Sequence, residues 1–298
     1  MQPQGRATRG TKALSRQDRH SVSLSKVPFI LNGSISVVLP AYNEADCIQE
    51  NLVELVTTLR RLGYDFEAIV VDDGSSDGTA ELAAAIAANL SEVKIFRYEE
   101  NRGKGQALRC GAALATGQYV VFLDSDLELH PRQLPVLLEI LQREHGDVVV
   151  GCKNHPGSNV EGYPKLRRLA SMSYYLIVKA LFGLPIRDTQ TGIKVYKKRV
   201  LEAVLPRVMV KRFAFDIEFL AIAHRLGYKI VEAPVTLKFA RAAGRITWRD
   251  CANVFRETAA IFYRMSILKY YDRPIETLRV TAASPPVAAV QREPQPVD

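Results

Sequence analysis

The sequence predicts an α/β fold: a mixed, mainly parallel sheet with helices on both faces. Three observations predict it. Short apolar runs alternate with segments of helical period through the first half of the chain. The runs are apolar throughout rather than in alternation, as strands covered on both faces are. The resulting β-α-β-α order is the one a parallel sheet requires.

The elements follow in order. Ile35–Leu39 is a strand ended by Pro40, and Ile48–Leu62 carries helical spacing at Ile48, Leu52, Leu55, Val56 and Leu59 before Gly63 closes it. Ala68–Val71 is a second strand, and Asp77 is a candidate N-cap for a helix over residues 79–89. Strands at 93–98, 119–123 and 148–150 alternate with helices at 105–116 and 134–145. The second half is less regular, with helices at 166–182 and 215–226 and strands at 192–196 and 230–235. Residues 248–271 form one long amphipathic helix with a stripe of Val254, Phe255, Thr258, Ile261, Phe262, Met265 and Leu268. Two uses of that stripe are open: packing on the core, or lying in a membrane interface with Arg249, Arg256, Arg264 and Lys269 beside it.

The sequence divides accordingly. Residues 1–30 read as a basic flexible tail, 31–245 as the α/β domain, 246–273 as the amphipathic helix and 274–298 as a second flexible tail. The chain has 298 residues, 47% of them hydrophobic, and a formal net charge of +8. That charge favours anionic partners: nucleotide phosphates, a membrane surface or nucleic acid. No nucleic-acid motif is present and aromatics do not interleave with the basic runs, so nucleic acid is not the expected partner. Cys47, Cys110, Cys152 and Cys251 form no C-x-x-C pair and read as reduced thiols of a cytoplasmic protein. No signal peptide and no membrane span are expected.

Three polar clusters fall at carboxyl ends of predicted strands, where open α/β sheets bind ligands. They are Pro40-Ala41-Tyr42-Asn43-Glu44, Asp72-Asp73-Gly74-Ser75-Ser76-Asp77 and Asp124-Ser125-Asp126. The last is the most informative. Two carboxylates one residue apart repel each other, and a hard divalent cation relieves that repulsion. A turn or helix cap would use the same residues, and the triplet alone does not separate the two readings. Asp72-Asp73 carries more acid than a strand-to-helix turn needs. Asn101-Arg102-Gly103-Lys104-Gly105 precedes a helix but has neither P-loop nor G-x-G-x-x-G spacing.

Taken in order, VVLPAYNEA (37–45), VVDDGSSDGT (70–79), NRGKG (101–105) and FLDSDLELHP (122–131) resemble family 2 glycosyltransferases of the GT-A (Rossmann-like) fold. RDTQTGIKVYKK (187–198) and FAFDIEFLAIAHRLGYKIVEAPV (213–235) are similar to the branch that includes dolichyl-phosphate glucose and mannose synthases, with DTQTG leaning towards glucose. The resemblance covers residues 34–245.

It implies an inverting transfer of a hexose from a nucleotide sugar, UDP-glucose ahead of GDP-mannose, to a polyprenyl phosphate, with Mg²⁺ or Mn²⁺ as cofactor. By position, Pro40, Ala41, Tyr42 and Glu44 would line the nucleoside pocket, and Val71 and Asp73 would hold the base. Asp124 and Asp126 would hold the metal, with Ser125 and Glu128 beside the donor. Lys104 and Lys153 are candidate phosphate contacts. Lys153 stands where relatives often have Arg and would act as a point charge. Arg168 and Arg241 match basic positions near the acceptor, and Asp188 and Gln190 fall in the acceptor-side loop. Asp216 and Glu218 occupy the region of a catalytic Asp in hydroxyl-acceptor relatives, and either suits a base. A lipid phosphate is already an anionic nucleophile and needs none. The chain departs from the branch at Arg245-Ile246-Thr247, where mannose synthases tend to read Ser-Lys, and lacks Q-x-x-R-W. Peripheral contact with the cytoplasmic face of a membrane follows from a lipid acceptor. Transfer to a glycan or small-molecule hydroxyl, and a non-catalytic nucleotide or nucleic-acid binding module, are the alternatives.

Overall fold

The computed structural model describes residues 33–163, 165–212, 214–238 and 248–274. The predicted tails and Arg241 lie outside the described residues. Strands β1 (Ile35–Ala41), β2 (Phe66–Asp72), β3 (Val93–Arg97), β4 (Tyr119–Leu123) and β5 (Val148–Cys152) alternate with helices α1 (Ile48–Leu62), α2 (Thr79–Ala87), α3 (Lys104–Leu114) and α4 (Leu134–Arg143). Then follow β6 (Asn159–Glu161), α5 (Lys165–Phe182), β7 (Ile193–Lys197), α6 (Lys198–Val204), α7 (Phe215–Arg225), β8 (Ile230–Pro234), β9 (Thr236–Lys238) and α8 (Trp248–Phe262).

Seven strands form one sheet in the order β3-β2-β1-β4-β7-β5-β8, while β6 and β9 pair apart from it. Every pairing in the large sheet is parallel except those of β7, which runs antiparallel to both β4 and β5. The strands bury both faces. Val38, Ile69, Val120, Phe122 and Tyr196 pack with α3, α6 and α7. Val37, Leu39, Val70, Val121 and Val195 pack with α1, α2 and α4. Period-2 side chains feeding two cores explain why the runs are apolar throughout.

Three expectations need correction. Helix α2 is capped at Gly78, not Asp77, although Asp77 Oδ1 still accepts the Thr79 N–H at 3.0 Å. Helix α6 went unpredicted, because seven residues of Lys-Arg-Val-Leu-Glu-Ala-Val are too short to show a period. The long terminal helix ends at Phe262 and continues as a π-helical turn over Tyr263–Ile267. Its stripe also divides: Thr258, Ile261 and Met265 are buried, whereas Phe255 and Leu268 are exposed.

At the amino end of the sheet Glu67 joins three elements. Its carboxylate accepts from Ser36 Oγ at 2.6 Å, from Thr116 N at 2.7 Å and from Lys94 Nζ at 2.7 Å. Burial works against its charge, but Lys94, Ser36 and Thr116 outweigh burial and hold the pKa at about 2. Folded Glu67 thus binds its proton less tightly than an unfolded glutamate near 4.5. Its contribution is complete above that value and is lost as pH falls towards 2. Denaturation of wild type and Glu67→Gln across the acid range checks this: the stability gap should be widest at neutral pH and close on acidification.

Candidate active site

Strand order reverses between β1 and β4, and the crevice outside their carboxyl ends is where such a sheet binds ligands. The three predicted clusters meet there. The loop after β1 is stitched to the loop after β2: Ser75 Oγ accepts Asn43 N–H at 2.9 Å, Thr79 Oγ1 accepts Glu44 N–H at 2.8 Å, and Asn43 Oδ1 accepts Ser76 N–H at 3.0 Å. Pro40 and Glu44 are half-buried, Ala41 is buried, and Tyr42 stands exposed. Val71 is fully buried among core side chains, so its side chain does not line the crevice.

Asp72 is buried, hydrogen-bonded to Ser75, and 3.5 Å from Arg97. Asp73 is buried and organises the next loop, accepting Arg102 N–H and Gly103 N–H at 2.8 Å each. Burial pushes both carboxyls up, against the pull of these donors. Gly103 has φ 95°, a conformation that favours glycine, and turns the chain into α3 so that Lys104 opens the helix.

Lys104 Nζ lies 2.6 Å from Asp124 Oδ1. Burial works to lower this lysine, but Asp124, Asp216 and Asp126 outweigh it and raise its pKa above the ordinary value. The Asp124-Ser125-Asp126 turn is fixed from three sides. Asp124 N–H donates to Gly192 O at 3.0 Å, Asn51 Nδ2 donates to Ser125 O at 2.8 Å, and Asp126 Oδ1 accepts Glu128 N–H at 3.1 Å. Ser125 is buried, and Glu128 is half-buried.

Two carboxylates suit Mg²⁺ or Mn²⁺, which take one or two protein carboxylates and complete their shell with phosphate and water. Among the described residues no group of three or more His, Cys, Asp or Glu gathers as a metal cage, and Asp124 and Asp126 are the carboxylates that would hold such a cation. The ammonium of Lys104 on Asp124 is a stand-in cation at this position. The donor set fits the metal.

The second half of the chain supplies the far wall. Lys153 Nζ is 3.1 Å from Asp188 Oδ2, and Lys153 N–H donates to the same oxygen at 3.2 Å. Burial works against the Asp188 charge, but Lys153 outweighs it and holds the carboxyl below its usual range. Gln190 N–H donates to Asp188 Oδ1 at 3.2 Å. Asp216 sits in the first turn of α7, paired with buried Lys194 at 3.0 Å. Glu218 is fully buried and holds the terminal segment, so it has no access to a substrate. Arg168 lies within α5, and its side chain is outside what is described.

Sequence reasoning missed Gly192, Lys194 and Asn51. Gly192 was visible only as the first residue of a short predicted strand. A Cβ there would stand 2.7 Å from Asp124 Cγ. Gly192→Ala should therefore swing Asp124 aside while the core stays packed. We expect Mn²⁺ affinity to fall by about tenfold or more, with little change in melting temperature, when both are measured on the same preparation.

A mainly parallel sheet whose strand order reverses at its binding crevice defines the class of open, doubly wound α/β proteins. This chain belongs to glycosyl transferase family 2, whose profile matches residues 36–205. It is 34% identical over 67% of its length to glycosyltransferase AglD of Haloferax volcanii, and spans 32% of that protein. It is 29% identical over 67% of its length to a dolichyl-phosphate beta-glucosyltransferase of Dictyostelium discoideum, of which it spans 65%. The chain thus spans less than two thirds of the length of these relatives. Among solved structures, glucosyl-3-phosphoglycerate synthase of Mycobacterium tuberculosis in complex with Mn²⁺, UDP-glucose and phosphoglyceric acid matches with a TM-score of 0.58 and 23% identity, covering 81% of this chain and 80% of that one. Mannosyl-3-phosphoglycerate synthase of Rubrobacter xylanophilus matches with a TM-score of 0.59 and 18% identity, covering 78% and 74%. Both likenesses bear out the GT-A fold.

Proposed function

We propose that the protein transfers a hexose, glucose ahead of mannose, from a nucleoside-diphosphate sugar to a polyprenyl phosphate, with inversion at the anomeric carbon. The observation that carries this is the convergence of the β1, β2 and β4 loops on one crevice containing Asp124, Asp126 and Lys104. The named dolichyl-phosphate beta-glucosyltransferase relative supports the acceptor and the sugar.

A phosphate oxygen of the acceptor attacks the anomeric carbon. A new carbon–oxygen bond forms there as the bond to the donor's diphosphate breaks, and the nucleoside diphosphate leaves with the electron pair. Mg²⁺ or Mn²⁺, held by Asp124 and Asp126, would supply Lewis-acid stabilisation of the leaving diphosphate. Tyr42, Glu44 and Asp73 border the nucleoside end, and the Asp73 carboxylate keeps the 101–105 loop against it. Asp216 is tied to Lys194 and serves as a charge partner, which agrees with an acceptor that requires no base. Arg168 and Arg241 take the acceptor phosphate in this reading, through planar guanidinium forks.

A lipid acceptor calls for a surface that meets a bilayer. No helix among the described residues is long and apolar enough to cross one. Helices α5 and α8 pack together through the Tyr174 and Phe255 rings, 5.4 Å apart, and a 2.7 Å bond between Tyr174 and Thr258 hydroxyls. Around that contact Met172, Leu176, Ile177, Tyr263, Ile267 and Leu268 remain exposed. These side chains support peripheral docking at a membrane surface. Replacing Leu176 and Ile267 together by Glu should reduce co-flotation with anionic vesicles by about tenfold or more while leaving the melting temperature unchanged.

A thermal-shift panel of UDP- and GDP-sugars with Mn²⁺ tests the donor. UDP-glucose should raise the melting temperature most, and absence of a shift with every nucleotide sugar would sink the reading.

A further inference from the structure

Two ammonium groups stand among the carboxylates of the crevice. Lys194, on β7 opposite Phe122 of β4, is 3% exposed, lies 3.0 Å from Asp216 Oδ1 and donates to Thr191 O at 2.6 Å. A lysine so placed cannot reach solvent or substrate. Its ammonium is held against Asp216 Oδ1, so the two charges form a buried pair. Lys104 differs: its side chain is one-third exposed and sits 2.6 Å from Asp124 Oδ1. The first turns of α3 and α7 abut. Gln106 N–H donates to Lys211 O at 3.1 Å, and a Cβ on Gly105 would fall 2.6 Å from Phe215 Cβ. Asp216 lies in that first turn of α7, and its charge acts on the Lys104 ammonium.

The ammonium on Asp124 Oδ1 competes with a divalent cation for that carboxylate, because the two like charges repel and each weakens the other's hold on it. We propose that Lys104 is a resident counter-ion that occupies the metal ligand Asp124 until donor arrives, and that Asp216, paired with Lys194, receives it when a divalent cation takes its place. The flexible four-carbon stem of lysine permits the exchange while the helix stays fixed. The inference rests on the metal-site reading of Asp124 and Asp126. Its consequence is that metal alone binds weakly and metal with nucleotide binds well, since the diphosphate adds ligands and negative charge that outweigh the lost Lys104 contact. Lys104, Asp216 and Lys194 are on this account positioning residues.

The test titrates the full chain with Mn²⁺ alone, and with Mn²⁺ plus UDP, counting free Mn²⁺ by electron paramagnetic resonance. Lys104→Met should bind Mn²⁺ alone about tenfold tighter than wild type, and Lys104→Gln should shift in the same direction. Asp216→Asn should weaken Mn²⁺ binding, and by less in the Lys104→Met background than in wild type. Melting curves confirm that each variant is folded, and the two Lys104 variants carry the test if Asp216→Asn is not. Equal or weaker Mn²⁺ binding by both Lys104 variants overturns the inference while leaving the metal site standing. Absence of Mn²⁺ binding by every protein, even with UDP, overturns both.

Discussion

Asp126→Asn should retain the fold and lose turnover by about a thousandfold. Asparagine keeps the oxygen that accepts Glu128 N–H at 3.1 Å, so the turn after β4 survives. What disappears is one of the two carboxylates, with Asp124, that would hold the cation, and Asp124 is itself paired with Lys104. The loss should appear in kcat and in metal affinity together, because the metal held by Asp124 and Asp126 would supply the charge that stabilises the leaving diphosphate. Steady-state kinetics at several Mn²⁺ concentrations, beside a circular dichroism melt, separate this from unfolding. A binding module with a merely basic surface would keep its nucleotide affinity in the same variant.

Glu218→Ala should destabilise the protein by about 3–5 kcal/mol, measured by chemical denaturation. The carboxylate has no exposed surface and accepts from Met209 N at 2.8 Å, Val210 N at 2.6 Å, Arg264 at 3.1 Å and the Tyr271 hydroxyl. Removing it strands a half-buried guanidinium and two backbone N–H groups. It also unfastens the π-helical turn and the segment after it from α7. Tyr271→Phe removes a single hydroxyl and should cost about 1–2 kcal/mol, with transfer activity retained. If Glu218→Gln abolished transfer at full stability, Glu218 would be a base after all, and the structural role would be refuted.

Much of the fold was legible because a parallel sheet writes itself as unbroken apolar runs. Seven predicted strands correspond to the seven of the large sheet, and helix α1 has the predicted bounds. The antiparallel course of β7 was not legible, since Ile193–Lys197 has the same composition in either direction. At the site, the loop clusters were readable as polar breaks after apolar strands. Their convergence follows from topology, which spacing alone does not encode. The catalytic candidates of the second half were harder to sort. Asp216 and Glu218 look alike in sequence, and only the packing of Lys194 against one and of Arg264 and Tyr271, beyond α8, against the other separates a charge partner in the crevice from a buried clasp. Gly192 carries no chemistry of its own, so nothing in its local sequence marks it as the floor under Asp124.

Transfer of a hexose to a lipid phosphate is the proposed reaction. The most direct measurement incubates the protein with Mn²⁺, radiolabelled UDP-glucose and a polyprenyl phosphate, and extracts into organic solvent. Label should enter the organic phase only when the lipid phosphate is present, be released by mild acid, and vanish with Asp126→Asn. Label that stays in the aqueous phase with every prenyl phosphate and every nucleotide sugar, while moving onto a hydroxyl acceptor, would contradict the account.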